Sequence, residues 1–181
     1  MIPSIICAAY YGETACLKAF AFFFVLFTAA GFLIYKAVPA HYSHISARDG
    51  FLIVAACWIV SCLFGAFPYM FSGEGFTFAQ SVFESTAGFT TTGATSVDGF
   101  LGPKSLILFK AVAHWLGGMG ILILAVSILP AMGIGGQNIA KAETPAPKVD
   151  KLSNRISDSA RILYIMYLAL SLIEFFMLIF N

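Results

Sequence analysis

The run Phe89-Thr90-Thr91-Thr92-Gly93-Ala94-Thr95 is the stretch of this chain whose residue types suit ion coordination. Three consecutive β-branched threonines favour extended backbone, and Gly93 permits a φ that other residues resist. An extended strand with small side chains can turn its carbonyls toward a wet cavity. A ring of such carbonyls can replace the water shell of a potassium ion. The segment just before it, Thr77-Phe-Ala-Gln80-Ser-Val-Phe-Glu84-Ser-Thr-Ala-Gly88, reads as a short helix. Thr77 with Gln80 fits a capping box. Gly88 fits the left-handed residue just past a helix end. A helix of about ten residues is roughly 15 Å long, about half of a bilayer core. Its negative C-terminal end would face the same cavity and favour a cation there.

Taken alone, a Thr/Gly-rich run is also what an ordinary loop contains. The flanking elements make it specific. Of the 181 residues, 60% are hydrophobic and only 10% charged, where a soluble domain would carry about 25% charge. Lipid is the natural solvent for such a chain. Four apolar runs, Leu17–Tyr35, Phe51–Tyr69, Ser105–Met132 and Ala160–Phe180, are near or above the ~20 residues a membrane helix needs. Phe76–Phe89 is apolar but too short to cross, so it reads as a re-entrant element between the second and third spans. Irregular backbone at membrane depth survives only when packed in protein or lining a wet cavity. Span, short dip, Thr/Gly strand and span form the order that a pore-loop repeat requires. The expected fold class is therefore an all-α membrane protein, a helix–pore-loop–helix repeat with flanking transmembrane helices. Nineteen phenylalanines suit lipid-facing helices. Met1–Tyr11 is apolar over half a span, without the basic start or cleavage site of a signal peptide, and Asn181 follows directly on an apolar run. Both ends predict a piece of a longer chain.

Charge sets the orientation. Lys36 and Arg48, with His41 and His44, lie between the first and second spans, and Lys141, Lys148, Lys151 and Arg155 lie between the third and fourth. The region between the second and third spans carries Lys104 against Glu74, Glu84 and Asp98. The positive-inside rule places both basic segments in the cytoplasm, so the short element dips in from outside. The net charge of +1 offers no argument for a nucleic-acid partner.

Other candidate chemistry is sparse. Cys7, Cys16, Cys57 and Cys62 form no CxxC pair and no metal-ligand spacing; they read as small apolar residues, with Cys57 and Cys62 on different helix faces. Glu84 and Lys110 are ionisable groups at membrane depth, where such residues are expensive. Glu84 either adds negative potential near the strand or pairs with a neighbouring repeat, a structural hydrogen-bonding role. Lys110 is placed to snorkel to the outer interface. His114 reads as a packed, neutral histidine, and Glu174 as a group whose partner lies elsewhere. Trp115-Leu-Gly-Gly-Met-Gly120 reads as close helix packing rather than a gating hinge. Gly133-Ile-Gly-Gly136 lacks the Lys-Ser/Thr pair of a phosphate loop and reads as a turn. No side chains form a nucleophile-and-base set.

The chain resembles the Trk/Ktr/HKT superfamily of potassium transporters, most closely its bacterial Trk-type membrane subunit. The resemblance rests on Ser46-Ala-Arg-Asp-Gly-Phe-Leu-Ile-Val54, Phe83-Glu-Ser-Thr-Ala-Gly-Phe-Thr-Thr-Thr-Gly-Ala-Thr95, Trp115-Leu-Gly-Gly-Met-Gly-Ile121, Ile128-Leu-Pro130 and Lys141-Ala-Glu-Thr-Pro-Ala-Pro147 followed by Arg155. It implies four helix–pore-loop–helix repeats around one axis, behind a leading helix pair. Residues 1–45 would then belong to that leading pair, with its first helix truncated. Residues 46–132 would be the first repeat, with its filter at 90–95. Residues 133–159 would be a cytoplasmic linker, and 160–181 would open a truncated second repeat.

The resemblance also implies a site and a function. Backbone carbonyls of Thr91, Thr92 and Gly93 would hold potassium, with Thr90 and Ala94 as neighbours, and Glu84 would shape the pore electrostatics. Potassium would be the only non-protein group, with no organic cofactor. The implied activity is potassium uptake across the bacterial inner membrane. The implied partners are the remaining pore repeats, a second copy of the whole protein, membrane lipid and a cytoplasmic nucleotide-binding regulatory subunit. Gln137–Asp158 would serve as solvated linker or as docking surface for that subunit. No tyrosine-glycine pair follows Gly93, which implies fewer tight sites and looser selectivity. The family needs four filter strands and this chain holds one. The competing readings are a self-assembling tetrameric channel subunit and a non-conducting membrane scaffold or enzyme subunit.

Overall fold

The computed structural model describes residues 1–38, 47–96, 102–131 and 149–180, apart from the side chains of 47–51, 122–131 and 149–160. The regular elements among them are all helices: α1 (Ile2–Tyr11), α2 (Thr14–Ala37), α3 (Ala47–Met70), α4 (Phe78–Phe89), α5 (Lys104–Ala131) and α6 (Val149–Ile179). Helices are what lipid demands, because each satisfies its own backbone groups. Thr14–Ala37, Leu52–Met70 and Arg161–Ile179 are long and apolar enough to cross a membrane. The 28 residues of α5 make a rod about 42 Å long at 1.5 Å per residue.

The first three expected spans match α2, α3 and α5 to within a turn or so. The fourth agrees with the span Arg161–Ile179, but its helix is longer: α6 starts at Val149, eleven residues before the expected Ala160. Hydropathy marks where a helix enters lipid, not where its hydrogen-bond ladder begins, so polar residues extend the helix past the apolar run. Part of the expected linker is therefore helical. Its segment 132–148, with Gly133–Gly136 and both prolines, lies outside the described residues, as do His41, His44 and Asp98.

The chain divides within α5 into two compact units, Met1–Gly118 and Met119–Asn181. In the first, α1 and α2 form a hairpin. Gly12 closes α1 in the left-handed conformation (φ 71°), with its N–H donating to the Ala8 carbonyl. An aromatic ladder joins α2 to α3: Phe23 stacks on Phe67 at 5.3 Å and Phe27 on Phe64 at 4.7 Å between centroids. Some of the phenylalanines thus hold helices together rather than facing lipid. Tyr69 is fully buried, with Phe76 at 5.9 Å and Phe109 at 5.6 Å. Phe109 in turn meets Phe20 at 5.2 Å, which ties α5 to α2.

In the second unit, the described side chains of α6 are mostly exposed, Glu174 among them. The Ser171 hydroxyl donates to the Tyr167 carbonyl at 2.9 Å, one turn back.

Small residues set the approach of α4. A Cβ at Gly65 on α3 would stand 2.7 Å from Phe89 Cε2 and closer still to Ser85 Oγ. A Cβ at Gly117 on α5 would fall on the Phe89 carbonyl. The Trp115–Gly120 motif therefore acts at Gly117 through close packing. Among the cysteines, all free, Cys16 and Cys62 are buried and Cys57 is exposed, as two different helix faces require.

Candidate ion filter and its bracing

The re-entrant helix forms as its sequence predicts at the N-terminus. The Gln80 N–H donates to Thr77 Oγ1 and the Thr77 N–H donates to Gln80 Oε1, a complete capping box. It runs for 12 residues, about 18 Å at the α-helical rise. Its C-terminus differs from expectation. Gly88 lies inside the helix, and the left-handed residues are Thr91 (φ 57°) and Gly93 (φ 73°). The lack of a side chain at Gly88 leaves room for α5: a Cβ there would stand 3.4 Å from the Ala113 Cβ.

Thr90 and Thr91 are consequently a turn rather than an extended strand. Thr90 has φ −82° and ψ 4°. The Thr90 hydroxyl donates to the Thr86 carbonyl at 2.7 Å and meets Thr92 Oγ1 at 2.8 Å. These local side-chain bonds stabilise turn geometry and outweigh the preference of β-branched residues for extension.

Three amides of this loop point back at α4. The N–H groups of Thr90, Thr91 and Gly93 donate to the carbonyls of Thr86, Gly88 and Ala87 at 2.8, 3.1 and 3.2 Å. The helix end is therefore capped by the loop that follows it. In a trans peptide the carbonyl of the preceding residue points opposite to the N–H, and no cis bond occurs among the described residues. The carbonyls of Thr90 and Thr92 are thus turned away from α4. Thr90, Thr92 and Gly93 are exposed, while Thr91 and Ala94 are half-buried.

The outer end of the loop is held by two charged residues. Glu84 is buried on α4, and its Oε1 accepts from the Ser96 N–H at 2.6 Å and from the hydroxyls of Thr95 and Ser96, each at 2.9 Å. Its Oε2 pairs with Lys110 Nζ at 2.5 Å. Lys110 also donates to the Ala94 carbonyl at 2.7 Å. Lys110 does not snorkel outward, because a partner carboxylate and a carbonyl are available at its own depth. Glu84 finds its cation within this repeat, so its charge is balanced there. Sequence reasoning named both residues but did not pair them. The usable signal was an acid and a base at comparable depth on consecutive membrane elements, each needing a counter-charge.

One face of α5 follows the loop inward. Lys110 holds Ala94, His114 lies against Gly93 (its Cε1 3.6 Å from where a Cβ would stand), and Gly117 touches Phe89. The spacing i, i+4, i+7 is one helix face, and it meets the loop in reverse order, so α5 and the loop run antiparallel. His114 is half-buried in this contact. Among the described residues no group of His, Cys, Asp and Glu could hold a metal ion.

A re-entrant helix, a capped return loop and two flanking membrane helices define a membrane protein of the pore-loop class. A sequence model of the TrkH cation transport proteins matches residues 15–181, and the chain belongs to that family. It is 35% identical to the Trk system potassium uptake protein TrkG of Escherichia coli, over 92% of this chain and 35% of that protein. It is 37% identical to the Trk system potassium uptake protein TrkH of Halomonas elongata, over 94% of this chain and 36% of that protein. The crystal structure of the potassium transporter TrkH from Vibrio parahaemolyticus superposes with a TM-score of 0.76 at 32% identity, covering 94% of this chain and 34% of that one. The chain spans about a third of the length of these relatives. Its family is one of transporters, not enzymes.

Proposed function

We propose that this chain supplies the first pore-loop repeat of a potassium uptake pore, in which the carbonyls of Thr91, Thr92 and Gly93, flanked by Thr90, help replace the hydration shell of K⁺. The observation that carries this reading is the return loop. Its amides are drawn onto α4, so that the Thr90 and Thr92 carbonyls face the opposite side, and that side is exposed and awaits other strands. Potassium is then cargo rather than a resident cofactor. It would pass down its electrochemical gradient, helped by a membrane potential that is worth ~2.3 kcal/mol per charge per 100 mV. The relatives' names, potassium uptake and Trk system, agree with that cargo.

A complete filter needs strands from further repeats, which the relatives' greater length can accommodate. The further partners are a second copy of the full protein and a nucleotide-binding regulatory subunit at the basic, cytoplasmic side of the bacterial inner membrane. Residues 1–45, 46–132, 133–159 and 160–181 are the corresponding parts of the repeat scheme.

The test is potassium uptake by the complete transporter in cells lacking other uptake systems. Gly93→Asp, at wild-type abundance in the membrane, is expected to abolish uptake. Undiminished uptake by that variant would remove Gly93 from the ion path and overturn the reading.

A further inference from the structure

We infer that Lys110 is a positioning residue that withdraws the Ala94 carbonyl from ion coordination and so ends this repeat's contribution to the filter at Gly93. The inference rests on the reading of residues 90–95 as filter. Ala94 is the next residue along the strand and, by sequence, its carbonyl is as suitable a ligand as its neighbours. The structure gives that oxygen another occupation. Lys110 Nζ sits 2.7 Å away, so a cation already occupies one of that oxygen's two lone pairs. An ammonium so placed also repels a second cation approaching the same oxygen.

The ammonium is held from two sides. Glu84 Oε2 binds it at 2.5 Å, and the same carboxylate fixes Thr95 and Ser96 through Oε1. Three successive residues, Ala94 to Ser96, are therefore tied to one ion pair between α4 and α5. The side chains of Lys110 and Glu84 are 19% and 2% exposed, so water competes little for these bonds. Polar but uncharged groups bond to the pair: the Ala94 carbonyl, the Ser96 N–H and the Thr95 and Ser96 hydroxyls. His114, one turn deeper on α5, faces Gly93 instead. At the outer edge, this repeat offers a K⁺ one ligand fewer than its sequence suggests, and selectivity at that edge depends on a side chain that never touches the ion.

A charge-balanced double variant separates this role from mere stability. In the complete transporter, Glu84→Gln with Lys110→Met removes the donor to Ala94 while keeping an acceptor for Thr95 and Ser96. At wild-type abundance this variant is expected to show a several-fold change in the K⁺/Na⁺ uptake ratio and in the apparent KM for K⁺, with a smaller effect on maximal rate. Lys110→Arg, which keeps a donor, is expected to retain the wild-type ratio. A double variant of normal abundance with unchanged ratio and KM would overturn the inference. Should the double variant fail to accumulate, Rb⁺ density in crystals of the wild-type complete transporter decides: none within coordination distance of the Ala94 carbonyl supports the inference, and an ion bound there overturns it. Gly93→Asp run in parallel separates the two levels, since survival of its transport refutes the filter reading itself.

Discussion

Gly117 on α5 lies so close to Phe89 on α4 that a Cβ on the glycine would overlap the Phe89 carbonyl oxygen, far inside van der Waals contact. This contact sets how near the third long helix stands to the end of the re-entrant one, and so where the following loop begins. Gly117→Leu must push the two helices apart or twist the Phe89 peptide. Overpacking of this kind costs typically 1–3 kcal/mol and sometimes more. A lower melting temperature or reduced abundance of the detergent-solubilised transporter would report it. Gly31, with nothing within 4 Å of its would-be Cβ, is the control: Gly31→Ala is expected to stay within about 1 kcal/mol of wild type, given the helix propensities of the two residues.

The capping box at Thr77 and Gln80 holds the start of a helix only 12 residues long. Thr77→Val keeps the shape and removes the acceptor for the Gln80 N–H. Loss of an N-cap costs about 0.5–2 kcal/mol. Thermal unfolding of the complete transporter is expected to shift down accordingly, and Thr77→Ser is expected to restore it.

Glu13, at the start of α2, reaches across to the start of α5. Its Oε1 accepts from the Lys104 N–H at 2.7 Å, and its Oε2 accepts from the Ser105 N–H at 3.1 Å and from the Ser105 hydroxyl. A carboxylate at a helix N-terminus satisfies orphan donors and meets the positive end of the dipole. Glu13→Ala is therefore expected to destabilise the junction by about 1 kcal/mol or more, seen as faster protease cleavage near Lys104. Equal cleavage rates would show that this cap carries little.

Much of the architecture is legible in the sequence, because apolar run length and the Thr77/Gln80 pair report local rules that the fold obeys. The misreadings share a cause. Intrinsic preference puts Gly88 past the helix end and Thr90 and Thr91 in a strand, yet Gly88 lies inside α4 and the Thr90 hydroxyl, bonded to the Thr86 carbonyl, belongs to a turn. The start of α6 was hidden because hydropathy cannot see a helix outside lipid. Lys110 was visible as a costly charge, but its choice of Glu84 over the interface depends on the antiparallel pairing of α5 with the loop that follows α4, which no local pattern encodes.

The central claim concerns ions at backbone carbonyls, and the most direct measurement is Rb⁺ anomalous density in crystals of the complete transporter. The account predicts an ion within coordination distance of the Thr92 carbonyl, next to Gly93, on the side away from α4. Ions bound elsewhere in the protein, with residues 90–95 facing none of them, would contradict it.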